Sequence, residues 1–148
     1  LSAEDQLSTI CPHSQKSSTE EIDKLTAAIK AFLDGEDVLF SLDCVDLDAC
    51  SPFQKAVLLA EYQIPRGSIS TYQLIARHIG KEKGARAVGN ALANNPFPII
   101  IPCHRAIRSD GTIGGFRGGS AMKKALLEAE GIFFGHKGRI ISPKYHYR

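Results

Sequence analysis

The chain has no long hydrophobic run. No apolar stretch approaches the roughly 18 residues that would span a membrane, so no membrane partner is expected. Its four cysteines, Cys11, Cys44, Cys50 and Cys103, contain no C-x₂-C pair and no disulfide-framework spacing. That excludes the standard structural zinc patterns, so no metal or other cofactor is expected, although Cys11, His13, Cys44 and Cys50 are the residues that would be tested as ligands. The same cysteine usage points to a reducing, intracellular setting: the cytoplasm, or the nucleus in a eukaryote. The start, Leu1-Ser2-Ala3-Glu4-Asp5, has no signal-peptide core and no initiator Met, and is expected to be a processed end or to lie inside a longer chain. Acid is also scarce in the last two thirds of the sequence. Residues 1–50 hold three Lys and eleven acids, a net −8, whereas residues 51–148 hold fifteen Lys and Arg and five acids, a net +10. A segment that basic suits a polyanion, because each neutralised phosphate releases counterions.

What is present suffices for one domain with a small appendage. The polar, Ser-rich residues 1–18 are expected to form a poorly ordered tail. Thr19 caps a helix with apolar positions Ile22, Leu25, Ile29, Phe32 and Leu33, which Gly35 ends. Alternation over Val38–Leu42 predicts a short strand. Ser51-Pro52 opens a second helix, and Pro65-Arg66-Gly67 turns the chain after it. Ser70, with Gln73 three residues on, is expected to cap a third helix that Gly80 stops. The basic loop Lys81-Glu82-Lys83-Gly84 leads to a helix over residues 85–93, built from small residues. This pair joined by a turn is a helix-turn-helix pattern. Asp110-Gly111 marks a turn, residues 122–130 form a final helix, and the basic tail is expected to fold as a hairpin through Lys137-Gly138. Residues 1–50 are too few for a core of their own and must dock on the rest or stand in for a domain that is absent.

The stretch from Asn94 to Arg105 organises the chemistry. Three prolines among large apolar residues exclude a helix and disfavour a ladder strand, so an extended, buried rod is expected. It ends at Cys103-His104-Arg105. A thiol needs a base or a positive environment to become a nucleophile. In an extended chain adjacent side chains face opposite ways, so a water is the natural link between Cys103 and His104. A third group must then orient the imidazole. Glu128 and Glu130 are the candidates, and the spacing leaves both open.

Pro102-Cys103-His104-Arg105, preceded by Asn95-Pro96 and followed by Gly114-Gly115-Phe116-Arg117-Gly118-Gly119, resembles the O6-alkylguanine-DNA alkyltransferases. The likeness runs from about Ser51 to Gly131 and takes in Ile64-Pro65-Arg66-Gly67, Thr71-Tyr72, residues 85–91 and Leu126-Leu127-Glu128-Ala129-Glu130-Gly131. The resemblance implies an α+β, mainly helical fold with a winged-helix-like DNA-binding domain over residues 51–148 and an acidic N-terminal segment over 1–50. It implies a single-turnover transfer of an alkyl group from guanine O6 to Cys103, with His104 as activator through a water and Glu130 as the orienting acid. Tyr72 would serve the leaving guanine, and Asn95 would brace the site. Arg86 would replace a flipped base, alongside DNA contacts from Thr71, Ala87, Gly89, Arg105 and Arg117. Leu92, Pro98 and Phe116 would wall the alkyl pocket. The implied partner is double-stranded DNA carrying O6-alkylguanine, entered from the minor groove by a monomer. Base flipping follows from the chemistry, since a stacked base is out of reach.

Full-length members of that family carry a larger N-terminal α/β domain. Fifty residues can supply only its last helix and strand, so a natural short form or a truncation is expected. Two other functions compete. A non-catalytic alkyltransferase-like damage sensor lacks the acceptor cysteine, which this sequence has. A thiol hydrolase would need Cys103 and His104 to pair directly, which adjacency opposes.

Overall fold

The computed structural model describes residues 2–148. Among them six α-helices carry the chain: α1 (Ala3–Ile10), α2 (Glu20–Leu33), α3 (Pro52–Tyr62), α4 (Tyr72–His78), α5 (Ala85–Ala93) and α6 (Ser120–Ala129). Two short strands, β1 (Ser70–Thr71) and β2 (Ala106–Ile107), pair in parallel with Ser70 opposite Ala106 and Thr71 opposite Ile107. The fold is thus α+β and mainly helical. No helix among the described residues is long and apolar enough to cross a membrane.

The expected caps explain where α2 and α3 begin. Thr19 accepts from Ile22 N at the start of α2, and Ser51 accepts from Gln54 N ahead of Pro52 in α3. Between α4 and α5 the chain needs glycine at Gly84, where a Cβ would lie 2.8 Å from the Lys81 carbonyl oxygen. The α3–α4–α5 unit closes around Val57, Leu58, Ile75, Val88, Leu92 and Ile101. The N-terminal segment does dock. Phe32 of α2 and Phe40 pack with Ile99, Ile100 and Leu126 in a second cluster, with Leu25 and Ile29 of α2 packed against it.

Four local expectations are corrected. Residues 1–18 are not all irregular: α1 forms behind a capping box in which Ser2 and Asp5 exchange hydrogen bonds of 2.8 and 3.1 Å. Val38–Leu42 forms no strand. Phe40 instead buries against Phe32, Leu39 stays exposed, and Leu42 opens a 3₁₀ turn, Leu42–Cys44. Ser70 lies in β1, and the cap of α4 is Thr71, whose Oγ1 accepts from Leu74 N at 3.1 Å. The proline-broken stretch is not an extended rod. It doubles back at Ile99, which has φ +73°, and Ile101 N returns to Phe97 O at 2.9 Å.

The tail forms the short hairpin expected. Phe134 bridges Ile140 in antiparallel fashion around the turn His136–Gly138. Beyond it the chain runs back alongside β1: Ile69 N donates to Lys144 O at 3.0 Å and His146 N to Ile69 O at 2.9 Å. Tyr147 is buried, with its hydroxyl on Ala60 O at 2.7 Å.

Candidate active site

The doubled-back stretch ends in a 3₁₀ turn, Cys103–Arg105, followed directly by β2. This turn changes the geometry expected of an extended chain, yet it still does not pair Cys103 with His104. His104 Nε2 lies 2.7 Å from Glu130 Oε1 instead, and both side chains are buried. Burial pushes the imidazole toward its neutral form, against the pull of Glu130. A neutral ring sharing a proton with Glu130 through Nε2 leaves Nδ1 as an acceptor. Among the described residues Nδ1 has no partner.

Glu130 is held from several sides. Arg105 Nε and Nη2 each donate to it at 2.9 Å, and Gly67 N donates at 3.4 Å. Burial alone would raise its pKa, but the hydrogen bonds from His104 and Arg105 outweigh burial and bring it to about 2. The carboxylate is therefore ionised throughout the ordinary range. It sits at the C-cap of α6, so that helix sets its position.

Cys103 is buried and lies at the junction of two cavities. The larger, about 730 Å³, runs between α5 and the glycine loop and is walled by Tyr72, Arg86, Gly89, Arg108 and Arg117. The smaller, about 230 Å³, lies on the other side and is walled by Leu92, Asn95, Pro98, Phe116 and Met122. Burial pushes the Cys103 thiol up to about 11, with the Asn95 amide pulling the other way and Glu61 adding to the rise. The resting group is a thiol, and its proton must be removed before it can attack. Asn95 is itself buried: its Nδ2 donates to Ile101 O at 3.1 Å and its Oδ1 accepts from Phe97 N at 2.9 Å. It ties both limbs of the turn that presents Cys103.

Tyr72 opens α4 and faces the larger cavity, with its pKa raised to about 12 by burial and then by Glu61. Its hydroxyl keeps its proton. Lys123 Nζ approaches it at 3.4 Å while donating to Ala106 O at 2.5 Å and Gly115 O at 3.1 Å. Gly114 is required here, because a Cβ would sit 2.6 Å from the Tyr72 hydroxyl.

The structure brings together Cys103, His104, Glu130, Tyr72 and Asn95, and puts Leu92, Pro98 and Phe116 in the wall beside the thiol. Arg86, Gly89 and Arg117 line the larger cavity, and Ala87 is exposed on the same helix as Arg86. Two expected DNA contacts stand elsewhere. Arg105 is buried in its pairing with Glu130 and Ile64 O, since only there are its donors matched. Thr71 is buried as well, its Oγ1 engaged in the cap of α4.

The family model described as "6-O-methylguanine DNA methyltransferase, DNA binding domain" matches residues 52–132. The chain belongs to that family. The methylated-DNA–protein-cysteine methyltransferase of Methanothermobacter thermautotrophicus is 48% identical over 75% of this chain and 62% of its own length. The one from Methanosarcina acetivorans is 38% identical over 81% of this chain and 76% of its own. A crystal structure of Mycobacterium tuberculosis OGT in complex with DNA superposes with a TM-score of 0.67 at 40% identity, covering 74% of this chain and 66% of that one. The O6-methylguanine-DNA methyltransferase of Pyrococcus kodakaraensis gives 0.69 at 30% identity, covering 86% and 78%. The chain thus spans less than two thirds of the M. thermautotrophicus relative.

Within this methyltransferase-family domain, three residues near the site escaped the sequence reading. Arg108 follows β2 and faces the larger cavity beside Tyr72. Lys123 is wholly buried on α6, and its signal was available: Lys123, Leu126 and Leu127 fall on one helical face. Glu61 is wholly buried on α3, on the face shared with Val57 and Leu58.

Proposed function

We propose that the protein repairs DNA by accepting an alkyl group from O6 of guanine onto Cys103, once per molecule. The observation that carries this reading is the position of the thiol: a buried cysteine between one cavity large enough to admit a base and a smaller apolar one, in a chain of this family. The flipped guanine occupies the larger cavity, and its alkyl substituent points past Cys103 toward Leu92, Pro98 and Phe116. The thiol proton passes through a water to His104 Nδ1, and Glu130 stabilises the imidazolium that results. The S–C bond forms in line as the C–O bond breaks, and the electron pair stays on the guanine. Tyr72, its hydroxyl proton retained, hydrogen bonds to that leaving base.

The partner proposed is double-stranded DNA, approached by a monomer from the minor groove. The small residues of α5 permit close approach, and Arg86 and Ala87 are exposed on it. Arg86 fills the stack where the base has left, offsetting an unstacking cost of a few kcal/mol. Residues 51–148 are read as the DNA-binding alkyltransferase unit and residues 1–50 as an appended N-terminal segment. The reducing compartment inferred from the cysteines is intracellular.

Incubation with a duplex containing O6-methylguanine, followed by intact-mass and peptide mapping, tests the reading. The expected outcome is one methyl group on Cys103 per molecule and none on Cys103→Ala. An unchanged mass for the native chain would overturn it.

A further inference from the structure

Beneath the site lies a carboxyl that the reaction just described does not use. Glu61 sits in the last turn of α3 with no exposed surface, and among the described residues neither carboxyl oxygen has a hydrogen-bond partner. Its neighbours Val57, Leu58, Ala60 and Ile64 pack in one cluster with Cys103 and Ala106, and the segment is held from two sides, by the site and by the C-terminal segment. Arg105 donates through Nη1 to Ile64 O, and Tyr147 of the C-terminal segment donates to Ala60 O. The groups within its electrostatic reach come from every surrounding element: Lys123 of α6, Arg105 and Cys103 of the 3₁₀ turn, Tyr72 of α4, and Tyr147. Arg108 bears on Tyr72 and Lys123, while Glu130 is engaged by His104 and Arg105.

An unpaired ionised carboxylate in such a place is costly, so the group sheds its charge by holding a proton. We propose that Glu61 is a positioning residue for alkyl acceptance: neutral while the site works, and closing it by its negative charge once ionised. The inference rests on Cys103 as the reactive thiol, which is the reading given above.

The sign follows from the neighbours. Burial pushes Glu61 up to about 8 against the pull of Lys123 and Arg105, and burial brings Lys123 down to about 8 against the pull of Glu61. Below that pH the pair is Glu61 neutral and Lys123 positive. A positive interior favours both a thiolate at Cys103 and the negative charge that develops on the leaving base beside Tyr72. Above it the pair is Glu61 negative and Lys123 neutral, and a negative interior opposes both. A thiol reaction ordinarily quickens with pH until the thiol is ionised. This protein should instead gain more slowly across pH 8, where Glu61 ionises.

Single-turnover methyl transfer from an O6-methylguanine duplex is measured from pH 6 to 9.5 for the native chain and for Glu61→Gln. In parallel, iodoacetamide labelling of Cys103 is followed by peptide mass spectrometry without DNA. The two proteins should agree within twofold below pH 7. By pH 9.5 Glu61→Gln should be about tenfold faster in both assays, the change that one unit of thiol pKa produces. Glu61→Leu, which removes the buried carboxyl altogether, should follow Glu61→Gln. It should also melt higher than the native chain, by a margin that grows between pH 5 and 8. Superimposable pH profiles for native and Glu61→Gln protein would overturn the proposal, as would a slower Glu61→Gln at pH 9.5. Failure of methyl transfer alone, with the labelling difference intact, would count against the repair reading and leave this one standing.

Discussion

Arg105 shows how a single side chain can be legible in kind and misplaced in role. Next to a reactive cysteine in a basic segment, an arginine reads as a phosphate contact. The fold gives it Glu130 as a bidentate partner and Ile64 O as a third acceptor, and no water-exposed alternative matches that. Cutting it away leaves an uncompensated buried carboxylate, so Arg105→Ala should cost about 3–5 kcal/mol of stability in urea denaturation. The pH dependence has a definite sign. Glu130 binds its proton less readily folded than unfolded, so its contribution is full above the ordinary carboxylate range and is lost as pH falls from about 4.5 toward 2. Glu130→Gln should therefore flatten the acid limb of a melting-temperature profile measured between pH 5 and 2. By contrast Cys103 and His104 stood out from residue type and local order, whereas Asn95 was read only through the family resemblance. Lys123 and Glu61 were passed over, despite their apolar helix-face neighbours, because a charged residue is ordinarily read as solvent-facing.

At the scale of elements, the helices were readable and the irregular segments were not. Caps and helical spacing place α2, α3 and α5 to within a residue or two of where they form. Val38–Leu42 misled because alternation marks which side chains bury, and pairing needs a neighbouring edge that the sequence cannot display. The turn at Ile99 misled for the opposite reason, since a left-handed conformation at a β-branched residue is unfavourable locally and is imposed by tertiary packing. The glycine loop after β2 is where an element controls the site most directly. Gly114 has φ +70° and faces the Tyr72 hydroxyl. Gly114→Ala should cost about 1–2 kcal/mol for the left-handed backbone and should also displace Tyr72. The measurement is methyl-transfer rate against duplex affinity: the rate should fall more than tenfold while affinity changes less than threefold.

For the whole molecule, the two ends of the sequence carry opposite charge, and folding does not merge them evenly. Glu61 and Glu130 are buried, which removes two of the five acids of residues 51–148 from the surface. Arg105 and Lys123 are buried as well, so the outer face keeps the formal +10, now carried by thirteen Lys and Arg against three acids. Duplex binding should weaken steeply with salt, and Lys83→Ala, at the exposed α4–α5 junction, should reduce the slope of log affinity against log salt by about 0.9. A salt titration of fluorescence anisotropy reads this, and an unchanged slope would place the DNA elsewhere.

The packing of residues 144–147 bears on how the protein is handled. Lys144 and His146 hydrogen bond to Ile69, the residue before β1, and Tyr147 inserts between α3 and His78, whose ring it stacks on at 4.0 Å. Residues 144–147 thus brace α4 on both sides, at Ile69 ahead of its start and at His78, its last residue. An affinity tag should be fused at the other end, and a chain ending at Pro143 should melt at lower temperature and become sensitive to trypsin at Arg77. Resistance of Arg77 to trypsin in that shortened chain would show the brace to be dispensable.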